Sequence, residues 1–253
     1  MEFIDIATLA VLQGAAEFLP ISSSGHLVIA QNLLGINPPG MLIDISLHFG
    51  TLISICIFYF AAIKRIIFAK NYGYIFKIIL SAIPAVVVYF VFRDALSAVA
   101  ENDKFAGALL IVTGFVLIST KFMPPGSKKV SLISSLAMGL CQAAAIFSGL
   151  SRSGMTLVGA RACRVAPENA AEFSFLMSAP LIIGGIVLEM INNGKQLASG
   201  EVSVGLLLSG IFIAAVVGYF SIVLLVKTLN SSRFWLFGPY CIIIGILSLF
   251  FCK

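Results

Sequence analysis

Two short stretches of this chain hold residues whose types and spacing could do chemistry. Residues 13–26 read QGAAEFLPISSSGH and residues 142–156 read QAAAIFSGLSRSGMT. The first contributes Gln13, Glu17, Ser22, Ser23, Ser24 and His26; the second contributes Ser151, Arg152, Ser153 and Thr156. A guanidinium is planar and always charged, and it grips phosphate oxygens two at a time. Ser-Gly turns that open helices offer backbone N–H groups and a helix N-terminus to an anion. Gln13 and Glu17 stand four residues apart, so on a helix both side chains can point at the same ligand or metal. His26, one of two histidines in the chain, supplies a nucleophile or a general acid/base. A hydroxyl, an imidazole, a carboxylate and an arginine beside anion-binding turns are the parts of a phosphoryl-transfer site.

The two stretches are versions of one phrase. At an offset of 129, positions 13–25 and 142–154 agree at Gln13/Gln142, Ala15/Ala144, Ala16/Ala145, Phe18/Phe147, Ser22/Ser151, Ser24/Ser153 and Gly25/Gly154, seven of thirteen. That agreement points to a duplication, with repeats near 1–122 and 123–253 inside a single domain. The copies differ where chemistry is at stake: Glu17 is matched by Ile146, Ser23 by Arg152 and His26 by Met155. Each reactive group occurs in one half only, so one site assembled from both halves is expected.

The elements that must position these residues follow from composition. With 60% hydrophobic residues, 11% charged residues and a mean hydropathy of +1.08, the chain cannot cover itself with a water-compatible surface. An all-α, polytopic membrane protein is predicted. The opening MEFIDIATLA carries Glu2 and Asp5 and no basic residue, unlike the positive start of a cleaved signal peptide. The five cysteines lack CxxC spacing and read as small apolar residues, not as a disulfide or metal framework. The net charge of +5 comes without a basic block interleaved with aromatics, which excludes nucleic acid as a partner.

Six apolar stretches are long enough to span a bilayer, near 42–63, 74–92, 105–122, 170–191, 204–226 and 234–251. Two further regions, 3–36 and 130–166, are apolar but broken by Pro, Gly and Ser. Placing 64–77 in the cytoplasm puts 121–129, 161–168 and 227–233 there too, with 93–104, 192–203 and both termini outside. Eleven basic residues then lie inside and four outside, the skew that sets membrane topology. Each broken region must begin and end on the same side, the first outside and the second inside. The halves are therefore expected to be inverted repeats whose broken segments dip in from opposite faces and meet near the midplane. Irregular backbone at that depth is tolerated only around a cavity or inside protein, so the PISSSGH and SGLSRSG turns should line a polar pocket.

Plainer roles stand beside these. Arg152 could neutralise Glu17 as a structural pair, His26 could be a satisfied core residue, and Ser22, Ser24 and Ser153 read as turn-formers and caps. His48 fits a structural role and a pocket-lining role equally. The same pocket could also carry a phosphate-bearing substrate across the membrane without hydrolysis, since inverted repeats with broken helices are transporter architecture.

At these residues the chain resembles the undecaprenyl-diphosphatases, also called bacitracin-resistance proteins. The likeness rests on Gln13-x-x-x-Glu17 leading into FLPISSSGH, on SRSGMT at 151–156, on HFGTLIS at 48–54 and on AEFSFLMSAP at 171–180. It implies a phosphatase that removes the terminal phosphate of the C55 polyprenyl diphosphate carrier and regenerates the monophosphate for cell-wall assembly. It implies that Gln13 and Glu17 serve a divalent cation, Mg2+ or Ca2+; that Ser23 and His26 form the catalytic pair, with Glu17 and Arg152; and that Ser22, Ser24, Ser151, Arg152, Ser153 and Thr156 face the diphosphate. It also implies a multi-pass protein of the bacterial plasma membrane, its site opening to the outer side, with a homodimer as a compatible assembly. Two departures matter: Ser148-Gly149 replaces the usual Pro-Gly, and Gln13 stands where many members have Glu, which removes one charge from the expected cation site.

Overall fold

The computed structural model describes residues 2–36, 42–99, 102–197, 203–231 and 233–251. Cys252, Lys253 and the centre of the 192–203 connection lie outside the described residues. Among the described residues twelve α-helices run in the order α1 (Phe3–Phe18), α2 (Ser23–Leu34), α3 (Leu42–Phe58), α4 (Phe60–Phe68), α5 (Tyr72–Val91), α6 (Arg93–Val99), α7 (Asp103–Ser119), α8 (Leu132–Ala144), α9 (Arg152–Ala162), α10 (Pro167–Leu197), α11 (Val204–Asn230) and α12 (Phe237–Phe251). Among the described residues the only β-type pairing is an isolated bridge between Lys128 and Val165. This is an all-α membrane protein, because a bilayer leaves the backbone little else to do than bond to itself.

Among the described residues five helical segments are long and apolar enough to cross a bilayer: 72–91, 103–122, 167–188, 204–230 and 234–251. The expected span at 42–63 is different. It bends by 69° between α3 and α4, at Tyr59. Past the bend, α4 carries Lys64 and Arg65, buries Ala62 and Ile66, and exposes Phe60, Ile67 and Phe68. Two cations inside one nine-residue helix are costly in hydrocarbon, and that amphipathic pattern suits the interface. The broken regions appear as expected, α1–turn–α2 and α8–turn–α9. At the start of α1 the Glu2 N–H donates to the Asp5 carboxylate at 2.8 Å, so the acidic residues of the N-terminal stretch serve as a helix cap.

Packing crosses between the halves. α1 lies against α11 and α3, whereas its counterpart α8 lies against α5, and α7 pairs with α12. The α7–α12 contact is a glycine seam: a Cβ on Gly238 would sit 2.6 Å from the Gly114 carbonyl, and one on Gly245 would sit 2.5 Å from that of Gly107. In lipid, where apolar surface gains nothing from leaving its surroundings, such backbone approach is what holds helices together. Of the cysteines, Cys241 is buried as expected, whereas Cys56 faces outward; Cys56, Cys141, Cys163 and Cys241 are free thiols.

Candidate active site

The turns of the two broken segments touch. α1 ends at Phe18, and Ser22 begins α2 by accepting the Gly25 N–H on its Oγ at 3.4 Å. In the second copy Ser151 accepts the Gly154 N–H at 3.1 Å and begins α9. The repeated serines are thus N-caps, which gives the Ser-x-x-Gly spacing its physical reason. The turns pack reciprocally: a Cβ on Gly25 would lie 3.1 Å from the Gly149 Cα, and one on Gly154 would lie 3.3 Å from Pro20. Ser153 Oγ donates to the Leu19 carbonyl at 3.1 Å and ties one turn to the other. Gly149 has φ +98° and backs onto the Ala106 carbonyl, so no side chain fits there. Thr113 of α7 clasps the same turn, donating to the Gly149 carbonyl at 2.9 Å and accepting the Ser151 N–H at 3.2 Å. Ser22 itself holds φ +67°, a left-handed conformation that non-glycine residues adopt only when their surroundings compel it.

At the junction lies one carboxylate. Glu17, its side chain 4% exposed, accepts from Gln13 Nε2 at 3.0 Å and Ser23 Oγ at 2.7 Å on one oxygen, and from Arg152 Nη2 at 2.9 Å on the other. His48 Nε2 stands 3.7 Å from the same carboxylate, with Nδ1 donating to the Asp44 carbonyl, so His48 lines the site. Groups from both copies therefore converge on Glu17, and its pairing with Arg152 is a real contact of this state. Beside them, between Glu17, Arg152, Ser153 and Ser174, is a cavity of about 10 Å3, room for about one water.

The other expected residues take definite places. Ser23 and His26 are neighbours on the first turn of α2 but do not hydrogen-bond to each other. Ser23 turns to Glu17, and His26 donates through Nδ1 to the Ser22 carbonyl at 2.9 Å while Nε2 meets the Tyr240 hydroxyl at 3.0 Å. A carbonyl can only accept, so the proton sits on Nδ1 and the Nε2 lone pair faces Tyr240. Ser24 is exposed beside Ser22, 3.5 Å between hydroxyls. Thr156 is buried behind the cavity, its hydroxyl 2.6 Å from Ser174 and donating to the Arg152 carbonyl. Sequence reasoning passed over Tyr240, Thr113 and Ser174. A tyrosine early in the last span carries no motif signal, and only the tertiary fold brings it to His26.

A cation site can be judged from the oxygens present. Gln13 is fully buried and among the described residues its Oε1 has no hydrogen-bond partner, leaving an acceptor next to the Glu17 carboxylate. No group of three or more His, Cys, Asp or Glu side chains among the described residues could enclose a metal by itself. The donor set fits a hard cation that takes one or two protein oxygens and fills its remaining positions from phosphate and water, as Mg2+ commonly does. The counterpart of Gln13 shows the asymmetry of the copies: Gln142 is also buried, and among the described residues neither end of its amide has a partner.

The family model for bacitracin resistance protein BacA matches residues 6–247. A protein named undecaprenyl-diphosphatase from Desulforapulum autotrophicum is 35% identical over 98% of this chain and 98% of its own length. Proteins of the same name from Halothermothrix orenii and Rhodopirellula baltica are each 35% identical, over 98% and 97% of this chain and 97% and 96% of their own lengths. The matched region contains both turns and every side chain that converges on Glu17, and the chain belongs to the bacitracin resistance protein BacA family.

Proposed function

We propose that this protein hydrolyses undecaprenyl diphosphate to undecaprenyl phosphate and inorganic phosphate where its two broken segments meet, recycling the lipid carrier for cell-wall synthesis and conferring bacitracin resistance. The carrying observation is that Ser23 and Arg152, from opposite copies, both bond to the buried carboxylate of Glu17. Ser23 Oγ attacks the terminal phosphorus and passes its proton to Glu17 at 2.7 Å. The bond from phosphorus to the bridging oxygen breaks, and undecaprenyl phosphate leaves. Arg152 stabilises the charge that develops on the terminal phosphoryl oxygens, and the N–H groups opening α2 and α9 add fixed positive dipoles. Water then attacks the phosphoserine, giving a proton to His26 Nε2 and releasing phosphate as Ser23 recovers its own. Gln13 Oε1 and Glu17 would hold Mg2+ or Ca2+, which supplies neutralisation of phosphate charge when bound.

A second reading is direct attack by the His26 imidazole, which requires Tyr240 to release Nε2 first. The trapped phosphoenzyme separates the two: phosphoserine survives acid and phosphohistidine does not. The reaction belongs to the bacterial plasma membrane, with two inverted halves and the site open to the outer side; the eleven-to-four division of basic residues in the sequence supports the orientation of the halves. The test is phosphate release from a long-chain prenyl diphosphate by purified, detergent-solubilised protein, with and without chelator. Wild type should release phosphate and Ser23→Ala should not. A wild type that moves the lipid but releases no phosphate would make the protein a transporter.

A further inference from the structure

The side chain that completes the histidine comes from the far end of the chain. Tyr240 lies on the first turn of α12, 214 residues from His26, and its hydroxyl is 3.0 Å from Nε2 with the two rings parallel to within 5°. Because Nδ1 is committed to the Ser22 carbonyl, the hydroxyl donates and Nε2 accepts. Tyr240 is 41% exposed, so its ring fills no core, and among the described residues its hydroxyl bonds His26 alone. The helix that carries it is fixed on two sides. Gly238, two residues earlier, locks α12 onto α7, and the Cys241 thiol reaches the Pro20 carbonyl at 3.6 Å, within the broken turn itself.

We infer that Tyr240 is a positioning residue for His26, its hydroxyl donating into the single Nε2 lone pair and holding the imidazole in the Nδ1–H tautomer, so that in the hydrolytic step the water's proton passes to the Tyr240 oxygen as that oxygen gives its own to Nε2. His26 is thereby gripped from both ends, by the strained Ser22 turn and by a helix of the other half. The basicity of an imidazole and its direction are set by the hydrogen bond that its second nitrogen makes, and here both nitrogens are assigned. This inference rests on the phosphatase reading for its kinetic arm only.

The variant Tyr240→Phe keeps the ring and removes the hydroxyl. It should lower kcat about tenfold, the scale of one lost hydrogen bond, with KM within about twofold. In a His26→Ala background the same change should have no further effect, because it acts through an imidazole that is gone. A drop that multiplies with His26→Ala, or a Tyr240→Phe enzyme within about twofold of wild type, overturns the role. A spectroscopic arm does not depend on turnover. With 15N-labelled histidine in a His48→Gln background, one imidazole remains, and Tyr240→Phe should move its Nε2 resonance while Nδ1 stays protonated. An unchanged Nε2 resonance overturns the contact, even in an enzyme that releases phosphate normally. An enzyme inactive in wild type, with the resonance shifted as expected, would instead overturn the phosphatase reading and leave the contact standing.

Discussion

Replacing Arg152 by lysine keeps the charge at the junction and removes the fork, which isolates geometry from electrostatics. In the resting site one nitrogen, Nη2, spans 2.9 Å to Glu17, and the remaining N–H groups of the guanidinium are left for a ligand. An ammonium has a single nitrogen and must serve Glu17 and phosphate with it. A hydrogen bond to a charged group contributes about 1.5–3 kcal/mol, and about 1.4 kcal/mol is a factor of ten in rate. Losing one such bond in the transition state should therefore lower kcat/KM roughly ten- to 150-fold. Folding should be nearly untouched, because the lysine still neutralises Glu17. Arg152→Ala is the contrasting control: it strands a carboxylate that is 4% exposed, and cutting one partner from a buried pair costs about 3 kcal/mol or more. Phosphate release against prenyl diphosphate concentration, with thermal unfolding of the same preparations, reads both quantities. An Arg152→Lys enzyme within about threefold of wild type, or one as unstable as Arg152→Ala, would refute the fork.

Glu17→Ala and His26→Ala should each lower turnover by about two orders of magnitude or more, while prenyl diphosphate binding weakens far less, because Arg152, the two turns and the lipid tail remain; equilibrium binding to the purified variants checks the split. Gln13→Glu adds a second carboxylate four residues from Glu17, and the divalent-cation concentration giving half-maximal activity should fall; an unchanged dependence would remove Gln13 from the cation site. Cysteines introduced singly at Asn71 and Asn193, in a background without the native ones, should react with an impermeant thiol reagent from opposite faces of the membrane. Labelling from one face would contradict the inverted arrangement.

Spans were legible because a bilayer admits few backbone solutions, and the last of them matches at 234–251 in both readings. The meeting of Glu17 with Arg152 was legible for a different reason: a duplicated phrase with its reactive groups divided between copies makes sense only if the copies touch. The bend at Tyr59 was not. No proline or glycine marks it, the apolar run continues to Ile63, and the turn follows from α4 seating Ala62 and Ile66 in the core while Lys64 and Arg65 seek water. Partner choice inside the site was equally hidden. Ser23 and His26 look like a pair along the chain, but the approach of α1 gives Ser23 a carboxylate and the approach of α12 gives His26 a phenol. Thr156 sits at a spacing that suggests the pocket, yet Ser174 on α10 draws its hydroxyl behind the cavity wall.

The pairing of Glu17 with Arg152 has a consequence for the order of events in each turnover. A carboxylate tethered to the same fold is present at high effective concentration, so an incoming lipid meets a guanidinium with one N–H group already taken. On the proposed reaction, a diphosphate seated on the remaining N–H groups would draw Arg152 away from one Glu17 oxygen and make the carboxylate a stronger acceptor for the Ser23 proton, which already faces the other. Once the terminal phosphate is cut away, the remaining monophosphate would pull less, and Glu17 would regain its full hold on Arg152. The ion pair would then act as an internal ejector: it damps the base while the site is empty and helps displace the product when the chemistry is done.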